Sequence, residues 1–106
     1  MANFVLLYTG GGMAETPAEQ EAVMRAWGAW FGAIGSALVD GGNPFTPVVK
    51  TISPDGKVSD GPAGTLACGY SIVKADSLDA AVKLAKGCPH LASDGHVSVY
   101  ETFPVM

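Results

Sequence analysis

Phe4-Val5-Leu6-Leu7-Tyr8, followed by Gly10-Gly11-Gly12, is the stretch of sequence that decides the fold. An uninterrupted apolar run of strand length is typical of a strand that is buried on both faces and therefore central in its sheet. The glycines end the strand. They lack the lysine and the glycine spacing of a phosphate-binding loop, so they indicate only a turn. The chain thus begins with a predicted central strand.

A long helix is predicted after the glycine turn. Thr16 can cap its N-terminus, Pro17 lies where no N–H is needed, and Glu19 completes a capping box. Apolar residues then recur at helical spacing and form one stripe: Val23, Trp27, Trp30, Phe31, Ile34 and Leu38. Because both tryptophans belong to this stripe, we expect both to be buried.

The same helix is unusually rich in glycine and poor in charge. No residue between Arg25 and Asp40 is charged, and Gly28, Gly32 and Gly35 lie inside the predicted helix. Each interior glycine costs about 1 kcal/mol relative to alanine, a cost that close backbone packing usually offsets. Tight packing on the domain's own sheet is one interpretation, and a subunit contact or ligand-facing surface is the other.

Three more strands and a second helix are predicted in the rest of the chain. Residues 48–52 are β-branched and precede a Ser53-Pro54-Asp55-Gly56 turn, while residues 66–73 and 97–103 form the later strands. Ser77 or Asp76 caps the second helix, which ends at Gly87 and Pro89.

The resulting order, strand, helix, strand, strand, helix, strand, predicts an α+β, ferredoxin-like domain over residues 1–106. Split βαβ units of this kind form an antiparallel sheet with both helices on one face. The opposite sheet face is then bare and poor in charge. A homodimer would cover it.

Composition excludes several classes of function. Hydrophobic residues make up 48% of the 106 residues and charged residues 15%, and the net charge of -4 with six scattered Lys and Arg disfavours nucleic acid. The N-terminal apolar run is too short for a membrane span or signal peptide, so the default location is cytoplasmic. Cys68 and Cys88 are expected to be free thiols. No CxxC pair, metal-ligand set or nucleotide motif predicts a metal or cofactor.

Several segments together resemble the YCII-related family, DGPF subgroup. They are residues 4–8, 58–62, 69–73 and 76–81, the Cys88-Pro89 pair and the C-terminal residues 97–99 and 104–106. The resemblance implies a ferredoxin-like fold, dimers in which two sheets face each other as an α/β barrel, and a pocket between sheet and helices. Ala63 stands where the subgroup usually has Phe. The first helix lacks the His that some members pair with an Asp, so that dyad is not transferred.

Candidate site residues follow from the few titratable groups. His90 and Asp60 are the predicted acid–base pair, brought together at one end of the sheet. The alternatives are an Asp60 bonded to its own turn and a His90 that faces solvent or caps the second helix. His96 is more simply a polar residue at the start of the last strand. The predicted pocket lining is Tyr8, Trp27, Trp30, Tyr70 and Tyr100.

Three functions remain open from the sequence. The first is a small dimeric enzyme of lyase, isomerase or dehalogenating type that acts on a small organic substrate. The second is a cofactor-free oxygenase, by analogy with other dimeric α/β barrels. The third is a non-catalytic ligand-binding or regulatory partner module. Titratable groups that converge in a pocket would favour an enzyme over a binder.

Overall fold

Six strands and two helices form the part of the chain that the structure, a computed structural model, describes: residues 1–12 and 14–105. The strands are β1 (Ala2–Gly10), β2 (Leu38–Asp40), β3 (Lys50–Ile52), β4 (Val58–Asp60), β5 (Ala67–Ala75) and β6 (Gly95–Glu101). The helices are α1 (Pro17–Ile34) and α2 (Leu78–Ala85). Short 3-10 turns follow them at Gly35–Ala37 and Pro89–Ser93.

A four-stranded antiparallel sheet with the order β2-β5-β1-β6 is the framework of the domain. The prediction that β1 is central is confirmed. Both helices contribute to one core with β1 and β5, built from Phe4, Leu6, Tyr8, Trp30, Val73, Ala75, Ala81, Ala85 and Cys88. The α+β class with antiparallel pairing and two helices is therefore confirmed, and it is compatible with a ferredoxin-like fold.

Within the single chain, only one face of the sheet is buried, so the chain by itself does not bury β1 on both faces as the apolar run predicts. Phe4, Leu6 and Tyr8 lie under the helices, whereas Val5 and Leu7 between them are half-buried on the opposite face. The reason is that both helices cover the same side of the sheet, and successive side chains of a strand alternate between its faces. The open face remains apolar along β1.

The capping predictions are confirmed at both helices. The Thr16 Oγ1 accepts a hydrogen bond from the Glu19 N–H at 3.1 Å, and Ser77 Oγ accepts from the Ala80 N–H at 3.1 Å. The Glu19 carboxylate accepts from the Glu15 N–H at 3.1 Å, one residue earlier than in the usual capping box. Ser77, rather than Asp76, is thus the cap of α2.

The first helix ends earlier than its apolar stripe predicts. α1 stops at Ile34, because Gly35 adopts φ 54° and so leaves the helical conformation, although its N–H still donates to the Phe31 carbonyl. Leu38 therefore belongs to β2, where it is opposite Val73 of β5, and not to the helix. Leu38 thus continues the apolar spacing of the helix, but it is an inward residue of β2, the edge strand of the sheet.

The strand predicted at residues 48–52 does not join the main sheet. β3 pairs only with β4, in a separate two-stranded hairpin, and β2 takes the place next to β5. The radius of gyration, 15.2 Å, exceeds the roughly 13 Å of a compact domain of this length. Such a value is consistent with a hairpin that stands off the main body.

The glycines of α1 do not pack against the sheet. A Cβ built on Gly28 or Gly32 would meet no atom within 4 Å, so tight packing on the domain's own sheet is not the explanation for them. They lie on the outer side of the helix, where the second interpretation, a subunit or ligand surface, remains a prediction. Among the residues that the structure describes, no helix is long and apolar enough to cross a membrane.

Candidate functional site

An apolar cavity of about 340 Å³ lies between α1, the sheet and the loop that follows β2. It is lined by Tyr8, Trp27, Phe31, Gly41, Gly42, Asn43, Pro44, Cys68, Gly69, Tyr70 and His90. The loop closes one side because it runs along β5: the Phe45 N–H donates to the Cys68 carbonyl at 2.8 Å. We call this space the inner cavity.

A chain of two hydrogen bonds anchors the wall of the inner cavity. The Tyr8 hydroxyl donates to Ser71 Oγ at 2.7 Å, and Ser71 donates in turn to the Gly41 carbonyl at 2.8 Å. Ser71 is fully buried and Tyr8 nearly so. Burial raises the pKa of the Tyr8 phenol well above its usual range, so the hydroxyl stays a neutral donor at physiological pH.

Gly42 lets this loop approach the sheet closely. Its φ is 71°, and a Cβ at this position would collide with the carbonyl of Tyr70 on β5. Glycine alone combines that backbone conformation with contact at so short a range. The loop can therefore cover the cavity only with glycine at this point.

His90 enters the cavity from the 3-10 turn after α2. Its Nε2 lies 2.9 Å from the Thr9 carbonyl, and an acceptor at that distance requires a proton on Nε2. The neutral ring then carries its free lone pair on Nδ1, which has no hydrogen-bond partner among the described residues. The ring packs directly on Gly95 and beside Gly11, where any added Cβ would overlap it or press against it. His90 is thus fixed in orientation with one nitrogen left to accept a proton.

Cys68 faces the same cavity because β5 carries an irregularity. Tyr8 is opposite Gly69 and Thr9 is opposite Ala67, so Cys68 has no partner on β1. An extra residue of this kind bends a strand and redirects a side chain. The thiol lies 3.3 Å from the Tyr8 carbonyl, to which it donates, and 3.9 Å from His90 Nε2. The register shift therefore places the Cys68 thiol beside His90 at the polar end of the cavity.

Cys88 lies behind this wall and not in the lining. It is buried just beyond α2, and burial raises the pKa of its thiol. Both cysteines are free, as expected from the sequence. Cys88 is therefore a packing residue next to the Tyr8 side chain.

Three of the five aromatic residues predicted to line a pocket do so. Trp27 contacts Tyr8 edge-on at 5.2 Å between ring centroids, and Tyr70 stacks on Phe45 at 5.8 Å. Trp30 instead is in the core, where its indole N–H donates to the Leu84 carbonyl at 3.0 Å. Tyr100 is 56% exposed on the open face of the sheet. The burial prediction thus holds for Trp30, while Trp27 is only half-buried because it lines a cavity.

The structure does not bring Asp60 into this cavity with His90. Asp60 ends β4 in the separate hairpin, and its carboxylate forms an exposed ion pair with Lys50 at 2.6 Å. Neither the cavity lining nor the contacts of His90 include it. The prediction placed Asp60 in the loop before the third strand of a single sheet, whereas Asp60 belongs to β4, a strand of the separate hairpin. His96 is exposed at the start of β6.

Sequence reasoning missed Cys68 and Ser71 as parts of the site. Ser71 lies on the face of β5 that carries small residues. Small residues on one face of a strand indicate that a large side chain packs there, and in the structure that side chain is Tyr8. The described residues hold no group of three or more His, Cys, Asp or Glu placed to bind a metal ion.

The comparisons with known proteins add no relative. No protein-family model matches the chain, and no curated protein matches it. The fold and cavity therefore define a small α+β domain with an aromatic-lined pocket, and its resemblance to the YCII-related family rests on the sequence segments alone.

Proposed function

We propose that the domain binds a small, largely apolar organic molecule in the inner cavity. The observation that carries this proposal is the lining, which includes four aromatic residues, Tyr8, Trp27, Phe31 and Tyr70, together with the neighbouring His90 and Cys68. A volume of about 340 Å³ falls within the roughly 300–1,000 Å³ of small-molecule sites, which combine apolar walls with a few polar groups. A flat ring with one hydrogen-bonding substituent fits such a lining best.

A thermal-shift screen with small aromatic alcohols, ketones and carboxylates tests the proposal. A ligand that binds only the folded state at a hundred times its Kd stabilises the protein by about 2.7 kcal/mol, a readily measured shift. Two tyrosine variants provide a matched pair. Tyr70→Ala, in the lining, should weaken binding, whereas Tyr100→Ala, on the open face, should leave the affinity unchanged. A ligand whose affinity responds equally to both changes would locate binding elsewhere.

An enzyme of lyase or isomerase type is the second candidate, and the orientation of His90 favours it. The Thr9 carbonyl holds the Nε2 proton, so Nδ1 can take a proton from a bound substrate. The resulting imidazolium would keep, and strengthen, the same hydrogen bond to Thr9. The geometry gives no support to a cysteine nucleophile, because the imidazole nitrogen nearest the Cys68 thiol, Nε2, already donates its proton to the Thr9 carbonyl and cannot take the thiol proton.

His90→Gln separates the enzyme from the binder. The glutamine amide can donate to the Thr9 carbonyl as the imidazole does, but it cannot accept a proton at neutral pH. For a compound that binds and is consumed, this variant should retain binding and lose turnover. Consumption of O₂ during turnover would identify the cofactor-free oxygenase instead, and compounds that bind without being consumed would favour the regulatory or binding module.

We also propose that the chain belongs to the YCII-related family and that it forms a homodimer through the open face of its sheet. The half-buried Val5, Leu7 and Ile72 and the exposed Tyr100 support the homodimer, since they form an apolar surface that no element among the described residues covers. Sedimentation should give a dimer at micromolar concentration. Ile72→Glu should yield a monomer, whereas Val58→Glu, in the exposed hairpin, should remain dimeric. A wild-type monomer would refute the dimer.

Two free cysteines in a domain of this size favour a reducing compartment, and we therefore propose a cytoplasmic location.

A further inference from the structure

A second, wider cavity adjoins the inner one and shares three of its residues. This outer groove of about 910 Å³ runs between the N-terminal half of α1 and the glycine turn after β1. Trp27, Cys68 and His90 line both spaces. The two cavities therefore meet at these three side chains.

One stripe of α1 extends along both cavities. Glu19 and Val23 line the outer groove, Trp27 lines both spaces, and Phe31 lines the inner cavity, at a constant interval of four residues. Residues four apart lie on the same face of a helix. From Trp27 to Glu19 the helix rises about 12 Å, at 1.5 Å per residue. A ligand that uses both cavities is thus elongated, with its ring at one end.

The charges along this path have one sign. The described residues that line the two cavities include no Lys or Arg, while Glu19 and Asp94 place carboxylates in the outer groove. An anionic tail would meet repulsion in this groove, and a cationic tail would meet attraction.

We propose that the ligand is a hydrophobic amine, with its ring in the inner cavity and its ammonium group in the outer groove. This inference rests on the proposed binding function and specifies its ligand class. The protonated amine is attracted by the Glu19 and Asp94 carboxylates, and the connecting methylenes pass Val23 and Trp27. The ring end is then placed beside His90.

Three probes of equal length test the inference: an ω-phenylalkylamine with a chain of about 10–12 Å, matched to the path along α1, and the corresponding alcohol and carboxylate. Calorimetry at low salt should rank the amine first, the alcohol second and the carboxylate last. The preference for the amine over the alcohol should shrink as salt is raised, because exposed charges are screened.

Three charge variants locate the effect. Glu19→Gln keeps a side chain that can complete the cap, and Asp94→Asn keeps a residue that tolerates the left-handed conformation found there, φ 62°. Each should weaken the amine about 1.5- to 5-fold, the range of an exposed ion pair, and leave the alcohol unchanged. Glu21→Gln is the control. It removes the same charge from an exposed position on α1 that lines neither cavity.

The possible results distinguish the two proposals. If the alcohol binds as tightly as the amine, or if Glu21→Gln weakens the amine as much as Glu19→Gln does, the amine inference fails while the binding function stands. If none of the three probes binds, and the aromatic screen also finds no ligand, the binding function itself fails.

Discussion

The hydrogen-bond chain from Tyr8 through Ser71 to Gly41 makes a sharp energetic prediction. Tyr8→Phe removes one neutral hydrogen bond but leaves Ser71 donating to the Gly41 carbonyl. We expect a loss of about 1 kcal/mol in the free energy of unfolding, the net value of such a bond. No cavity is created, because phenylalanine fills the same space apart from the hydroxyl.

Ser71→Ala should lower the free energy of unfolding more than Tyr8→Phe does, although it also removes only a hydroxyl group. It leaves the buried Tyr8 hydroxyl without its acceptor and the Gly41 carbonyl without its donor. A stranded buried polar group costs about 1–3 kcal/mol. The Cys88 sulfur, next to the phenol, is a weak alternative partner, so we place the loss at about 2 kcal/mol.

The double variant should be less destabilised than the two single losses added together. Once the phenol is gone, Ser71→Ala no longer strands a hydroxyl, which gives an interaction energy of about 1 kcal/mol between the two positions. Urea unfolding followed by the fluorescence of Trp27 and Trp30 measures all four proteins. If the two losses add within 0.3 kcal/mol, roughly the precision expected of independent sites, the hydrogen-bond chain is not there.

The other predictions concern the packing around the same site. Gly95→Ala places a methyl group where the imidazole of His90 lies and should lower the free energy of unfolding by about 1–3 kcal/mol. Gly28→Ala, on an open helix face, should raise it by up to about 1 kcal/mol. Equal urea midpoints for the two variants would contradict the position of the His90 ring. Trp30→Ala should lower the free energy of unfolding by about 3–5 kcal/mol, and Trp27→Ala by about 1–2 kcal/mol because Trp27 is only half-buried. Unfolding followed by circular dichroism measures both losses. Equal losses would mean that Trp27 is fully packed. Burial raises the pKa of the Cys88 thiol, so the folded state keeps that proton to higher pH than the unfolded chain does. The free energy of unfolding should therefore fall as the pH rises above about 8.5, the pKa of the thiol in the unfolded chain. The decrease should be at most about 1.4 kcal/mol per pH unit. Cys88→Ala should reduce that slope, and an unchanged slope would show that the thiol is not the source.

The parts of the fold that could be predicted are those in which local signals agree with each other. The apolar run of β1, the Thr16 cap with Pro17, and the Ser77 cap each have a physical cause within a few residues, and the structure contains all of them. The second strand of the sheet had no such signal. β2 has only three residues, directly after a helix whose apolar spacing it continues, so the pattern of Leu38 is compatible with either structure.

Residues 50–52 show the complementary failure. Their β-branched pattern correctly predicted a strand, but a pattern states only that residues are extended and not which strand they pair with. The hairpin with β4 satisfies their backbone locally, and the main sheet takes its edge from β2 instead. As part of that hairpin, Asp60 pairs with Lys50 and does not line the cavity that His90 enters.

The candidate site follows the same division between regular and irregular structure. Tyr8 and Trp27 occupy regular positions on a strand and a helix, where the apolar patterns predict inward side chains. Cys68 and His90 reach the cavity through a register shift in β5 and a 3-10 turn, two features with no periodic signature. Both depend on long-range fits, such as the contact of the imidazole with Gly95, that form only when the sheet is assembled. The irregular parts of the fold therefore form the polar end of the cavity. The positions of Cys68 and His90 in it depend on the register of β1 with β5 and β6, which the sequence pattern does not specify.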